Sequence, residues 1–224
     1  MEGSVKMKKR GFFITFEGCE GCGKTTQIGM LSERLQKANQ EILVTREPGG
    51  TSVGEKIRHI LIGSDEETSI YPETELLLFA ASRAQLVREV IVPELELGKF
   101  ILCDRFLDST TVYQGVARQL ADGPVKAINQ FAVGNLMPDL TIVIDIPAEE
   151  SLLRVQRRKN SIPDRIEKES IEFYSAVREG YLYLAKEFPE RLVLVDGSQG
   201  VQKVADAIWD AVQTRFLNKV PAKL

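Results

Sequence analysis

Phe16-Glu17-Gly18-Cys19-Glu20-Gly21-Cys22-Gly23-Lys24-Thr25-Thr26-Gln27 is the stretch that decides the fold. Within it, Gly18 to Thr25 spells G-x-x-x-x-G-K-T, the pattern of a phosphate-binding P-loop. Gly18, Gly21 and Gly23 let the backbone curl until successive N–H groups converge on one anion. Lys24 reaches the outer phosphates as a mobile point charge. Thr25 offers a hydroxyl to Mg²⁺, and a helix starting there adds its positive end. The expected nucleotide contacts are therefore Gly18, Cys19, Glu20, Gly21, Cys22, Gly23, Lys24, Thr25 and Thr26.

The flanks supply the setting that the motif requires. Gly11 to Phe16 is a short, apolar, β-prone run directly before the loop. After it, Ile28, Leu31, Leu35 and Ala38 recur at helical spacing. Strand, glycine loop and helix follow one another without a break.

Composition bounds what surrounds this unit. The chain has 224 residues, 43% hydrophobic and 27% charged, which suits a soluble globular protein with ample core. A net charge of −3 argues against broad binding to nucleic acid or to membrane surfaces. Residues 1–10 are basic but carry no apolar segment of a secretory signal, and read as a frayed tail. No apolar run reaches the roughly 20 residues needed to span a bilayer, so a cytoplasmic protein is expected. Of three cysteines, Cys19 and Cys22 form C-x-x-C, a spacing that invites a redox or metal reading. Both fall on variable positions of the glycine loop and no second pair exists, so that reading is set aside.

Further along, strands are expected at 41–46, 99–103, 140–146 and 191–195, and helices at 52–62, 73–91, 125–135, 168–188 and 201–216. Five strands alternating with helices imply an α/β fold of the P-loop type, a parallel sheet covered on both faces, with ligands at the carboxyl ends of the strands. One domain over 11–217 is expected, with an arginine-rich lid at about 154–167 and a frayed end at 218–224. Three places near the strand ends are ambiguous on pattern alone. Phe79 and Arg83 share a helix face, as a ring and a donor fork for a nucleobase or as a core phenylalanine beside a snorkelling arginine. Asp104-Arg105 suits a water-mediated Mg²⁺ contact beside a phosphate clamp, or a plain strand-end ion pair. The run from Arg154 to Glu167 reads as a flap over phosphates or as a solvated basic face.

Taken together these motifs resemble the thymidylate kinases, P-loop nucleoside-monophosphate kinases that make dTDP from dTMP and ATP. The resemblance rests on 16–27, Thr45-Arg-Glu-Pro-Gly-Gly-Thr51, Leu76-Leu-Leu-Phe-Ala-Ala-Ser-Arg-Ala-Gln85, Asp104-Arg-Phe-Leu-Asp-Ser-Thr-Thr-Val-Tyr-Gln-Gly115 and Asp164-Arg-Ile-Glu167. They span almost the whole chain in order. The resemblance implies that Phe79 stacks on thymine, that Arg83 contacts its far carbonyl edge, and that Thr110 and Gln114 also meet the base. It implies that Arg105 binds the dTMP phosphate, that Arg46 and Glu47 frame that side, and that Glu20 lies near the sugar 3′-hydroxyl. Tyr113 would pack where a 2′-hydroxyl would clash. Lys24, Arg105, Arg154 and Arg158 would handle the transferring phosphoryl, and Thr25 and Asp104 the Mg²⁺ that accompanies ATP. A homodimer is implied as well.

Two departures stand out. Phe106 occupies a position where the family usually has tyrosine, so a phenolic hydrogen bond there is lost. Cys22 precedes Gly23 where one branch of the family has arginine; this chain carries its arginines in the lid, as bacterial members do. Two alternatives stand beside this reading: another nucleoside-monophosphate or deoxynucleoside kinase on the same scaffold, which Arg105 and the lid would serve equally, and a nucleotide-dependent switch or binding module. A GTPase-like switch would need a guanine-reading N-K-x-D, whereas the one Asn-Lys, at Asn218-Lys219, is followed by Val-Pro.

Overall fold

The computed structural model describes residues 10–62, 69–157 and 164–218. The chain begins β1 (Phe13–Glu17), α1 (Lys24–Lys37), β2 (Ile42–Arg46), α2 (Ser52–Ile62) and α3 (Pro72–Leu86). α3 runs on through a π-helical turn (Val87–Ile91) into α4 (Val92–Glu96). Next come β3 (Phe100–Asp104), α5 (Leu107–Thr110), a second π-helical segment (Thr111–Ala117) and α6 (Asp122–Val133). The chain then continues as β4 (Leu140–Asp145), α7 (Ala148–Gln156), α8 (Ile171–Glu187), β5 (Leu192–Asp196) and α9 (Val201–Val212), closing on a π turn (Gln213–Leu217).

The sheet order is β2-β3-β1-β4-β5, every pair parallel. β1 therefore lies at the centre, buried at all five residues, three of them apolar. Thr15 and Glu17 are its polar residues, and the Thr15 hydroxyl is matched by that of Thr141 on β4 at 2.8 Å. One sheet face packs Ile14, Phe16 and Leu102 against Leu31 and Leu35 of α1 and Ile208 and Val212 of α9. On the other face, Phe13, Ile101 and Cys103 meet Leu86, Ile91, Leu95 and Phe106. Val143 joins Tyr174, Val177 and Tyr181 of α8. A fully buried side chain of this size contributes about 1.5–3 kcal/mol, so both helical layers are held by the sheet rather than by their own propensity.

Local signals explain the ends. α3 opens on Pro72, whose missing N–H costs nothing at a first turn. The Ser170 hydroxyl accepts from the Phe173 N–H to start α8. The loop after β2 turns sharply at Gly50, where φ is 77° and a Cβ would stand 2.5 Å from the Thr45 hydroxyl.

The structure shifts several expected boundaries. The helix expected over 73–91 continues to Glu96, because the π turn carries it past the apolar stripe. The helix expected over 125–135 starts at Asp122 and stops at Val133, where Gly134 takes φ 63°. The polar stretch 107–117 is helical throughout. The first residues of the expected lid, 154–156, are the last turn of α7, which carries Arg154. Residues 158–163, with Arg158 among them, lie outside the described residues. Among the described residues, no helix is long and apolar enough to cross a membrane.

Candidate active site

Register places the chemistry. Phe16 on β1 pairs with Asp104 on β3, and Arg46 on β2 pairs with the same Asp104. The glycine loop, Asp104-Arg105 and Arg46-Glu47 therefore leave three adjacent strands at one level. They open onto a cavity of about 590 Å³.

At one end of the cavity lies the glycine loop. Gly18, Gly21 and Gly23 take φ of 131°, 72° and 100°, values that a side chain resists. Gly21 also sits where a Cβ would meet the Arg154 Cβ at 3.0 Å. Lys24 is folded back onto its own loop, its Nζ donating to the carbonyls of Gly18 and Cys19 at 3.0 and 2.9 Å. The Thr25 hydroxyl donates to Asp104 Oδ2 at 3.0 Å. Arg154 roofs the loop from α7, donating to the carbonyls of Gly21 and Gly197, both at 3.3 Å, and pairing with Glu150.

Arg105 occupies the middle. Its φ of 69° is left-handed, rare for a residue with a side chain and a mark of a position fixed by its surroundings. Its guanidinium meets Glu20 at 2.6 Å and donates to the Gly18 carbonyl and the Ser109 hydroxyl at 3.1 Å. Burial works against this charge, but Tyr113, Glu20, Tyr181 and Glu17 outweigh it and raise its pKa well above the usual range. The Tyr113 hydroxyl donates to both oxygens of Glu20 at 2.9 and 2.8 Å. Beneath them lies Glu17, with its pKa raised by burial and by Asp108. It accepts from the Phe106 and Ser109 N–H groups and from the hydroxyls of Ser109 and Tyr181.

The far end is walled by Phe79, Thr110 and Gln114, with Ile166 and Glu167 from the last residues of the expected lid. Arg83 stands behind this wall, 1% exposed. It donates to Glu47 at 2.8 Å, Asn129 Oδ1 at 2.7 Å, Thr110 Oγ1 at 2.9 Å and the Phe106 carbonyl at 3.3 Å. Arg83, expected at the base edge, thus stands behind the cavity wall, where its guanidinium braces Thr110 and Glu47. The Glu47 carboxyl is pushed up to about 7 by burial, against the pull of Arg83. The Glu47–Pro48 bond is cis.

Of the residues expected from sequence, the cavity is lined by Glu20, Gly21, Gly23, Lys24, Thr25, Thr26, Arg46, Glu47, Phe79, Asp104, Arg105, Thr110, Tyr113, Gln114 and Arg154. Gly18, Cys19, Cys22 and Arg83 support it from behind. The Cys19 thiol is buried and pushed up to about 12 by that burial and by Glu20, and Cys19 and Cys22 are both free thiols. A thiol so protonated is no nucleophile or metal ligand. Phe106, in place of tyrosine, is fully buried, edge-on to Phe13 at 4.9 Å and under the Arg83 guanidinium at 5.6 Å. Sequence reading missed Arg58, which reaches the wall from α2 while donating to the Pro48 carbonyl at 2.9 Å. It also gave no role to Glu17 and Ser109, though both lie inside the quoted motifs, nor to Glu75, which lies in none. Among the described residues no cluster of three or more His, Cys, Asp or Glu forms a metal cage. The donor set at Thr25 and Asp104, one hydroxyl and one carboxylate, suits a hard cation that takes its other ligands from water and phosphate.

Comparison with known proteins agrees with this geometry. The family profile described as Thymidylate kinase matches residues 16–208. The protein named "Thymidylate kinase" from Caldanaerobacter subterraneus subsp. tengcongensis is 52% identical over 204 residues, covering 91% of this chain and 96% of that one. Its namesake from Thermoanaerobacter sp. (strain X514) is 53% identical, covering 91% and 98%. A third, from Pelobacter propionicus, is 49% identical over 212 residues, covering 93% and 96%. The chain belongs to the thymidylate kinase family.

Proposed function

We propose that the protein transfers the γ-phosphoryl group of ATP to dTMP, giving dTDP and ADP for dTTP synthesis. The observation that carries this is one cavity holding a P-loop at one end and a ring-and-amide wall at the other, with Arg105 between them. Phosphoryl transfer needs in-line positioning and charge neutralisation more than covalent help.

In this reading the loop N–H groups, Lys24 and Thr26 hold ATP, and Lys24 exchanges the carbonyls of Gly18 and Cys19 for phosphate oxygens. Thr25 and Asp104 hold Mg²⁺, which neutralises charge on the phosphates. Arg105 and Arg46 aim the dTMP phosphate, while Glu20 and Tyr113 meet the sugar. Phe79, Thr110 and Gln114 receive the thymine. Arg154, with Arg158, closes over the moving group and excludes water. The acceptor attacks as an anion, so no general base is needed. Residues 11–217 act as one kinase domain, working as a cytoplasmic homodimer.

The test is ADP release from ATP and Mg²⁺ with dTMP, dUMP, dCMP, dGMP, UMP and thymidine as acceptors. Strong turnover with dTMP, weaker with dUMP and little with the rest is expected. Preference for thymidine or for a purine monophosphate would keep the kinase fold and reject the thymine site.

A further inference from the structure

Gln114 cannot by itself choose between bases. Its amide offers a carbonyl on one side and an NH₂ on the other, and a simple flip exchanges acceptor for donor. The imide edge of thymine presents N3–H and needs an acceptor. Cytosine presents a bare N3 there and needs a donor. Whatever locks the amide therefore sets the base that is accepted.

The lock is Glu75, on the first turn of α3. It is 1% exposed, and Gln114 Nε2 donates to its Oε1 at 2.6 Å. Arg118 Nε approaches the same oxygen at 3.5 Å, and Arg165 pairs with Oε2. A carboxylate between two guanidinium groups only accepts, so it turns the NH₂ of Gln114 toward itself. That leaves Gln114 Oε1, which accepts from no described residue, for the cavity that Gln114 lines.

We infer that Glu75 is a specificity-determining positioning residue: by holding the Gln114 amide acceptor-outward, it makes the site select a base bearing N3–H and reject cytosine. The inference rests on the dTMP reading above. It adds negative selection, because a locked carbonyl facing a bare ring nitrogen is repulsive rather than merely unpaired. dUMP carries the same imide edge and is unaffected by this element, so its discrimination must come from elsewhere in the site.

Glu75→Gln tests it. The substituted amide can donate to Gln114 as well as accept from it, so the Gln114 amide is free to flip. The ratio of kcat/KM for dTMP to that for dCMP is expected to fall about tenfold or more, while KM for ATP stays within about twofold, since the nucleotide loop lies at the other end of the cavity. Glu169→Gln, which neutralises another carboxylate paired with Arg118 but does not touch Gln114, leaves the ratio unchanged. An unchanged ratio in Glu75→Gln, or an equal fall in Glu169→Gln, overturns the inference. Should Glu75→Gln not fold, the wild-type protein decides: N3-methyl-dTMP should lose at least about a hundredfold in kcat/KM against dTMP, and a loss under about threefold overturns the inference. Failure of the dTMP reading itself would appear separately, as a wild-type protein that does not prefer dTMP.

Discussion

Glu47 makes the stability of this protein depend on pH in a direction opposite to that of most surface carboxylates. Its carboxyl is carried from 4.5 to about 7, first by burial, with Arg83 opposing. Below pH 4.5 the group is protonated in both the folded and the unfolded chain and costs nothing. Between 4.5 and 7 the unfolded chain releases the proton while the fold retains it, so stability falls as pH rises, and the fall is complete once the folded group ionises near 7. At about 1.4 kcal/mol per pH unit, the span from 4.5 to about 7 corresponds to roughly 3 kcal/mol. Glu47→Gln mimics the protonated carboxyl and can still accept from Arg83, so it should remove this slope. Urea unfolding followed by circular dichroism, at intervals from pH 4.5 to 8, measures both proteins. The variant should gain on the wild type by roughly 3 kcal/mol across that range; Glu17, also raised by burial, adds a slope of its own to both curves. Parallel curves would refute the argument and mean that Glu47 ionises in the fold much as it does in water.

Three other outcomes follow from the geometry. Lys24→Ala or Arg105→Ala should lower kcat by about 10³–10⁵, as loss of a charged phosphate clamp does; steady-state kinetics with dTMP that stay within about tenfold of wild type would remove these roles. Arg83→Leu should destabilise the fold by about 3–5 kcal/mol, because it strands the buried carboxyl of Glu47 and leaves Asn129 and Thr110 without their donor; a drop below about 1 kcal/mol in chemical denaturation would contradict this. Phe79→Ala should raise KM for dTMP by at least about tenfold with KM for ATP unchanged, and a matching rise in both would show that Phe79 serves the fold rather than the base.

The sequence was most informative where backbone conformation is demanding. Three glycines in eight residues before Lys24-Thr25 admit few conformations, and the strand–loop–helix setting follows from them. Strand ends were equally legible, because Asp104-Arg105 and Arg46-Glu47 each terminate an apolar run. What could not be read was which charged groups lie beneath the surface. Arg83 has the spacing of a cavity residue and yet its guanidinium is turned onto buried partners, Glu47, Asn129 and Thr110, which come from three other segments. Glu75 looks like an ordinary first-turn acid of α3, and only the folding of Gln114 and Arg165 against it gives it a task. Arg58 belongs to no motif at all. Long-range polar pairing leaves no periodicity behind, and periodicity is what a single sequence displays.

The pairing of β1 with β3 has a consequence for how the cavity tolerates change. The glycine loop springs from Glu17 and Arg105 follows Asp104, and these strands are joined by a continuous parallel ladder from Phe13–Ile101 to Phe16–Asp104. Neighbouring strands lie about 4.8 Å apart whatever their side chains. The roots of the glycine loop and of Arg105 are thus spaced by peptide hydrogen bonds, the least variable ruler a protein has. Substitutions in the side chains around the cavity leave that spacing untouched.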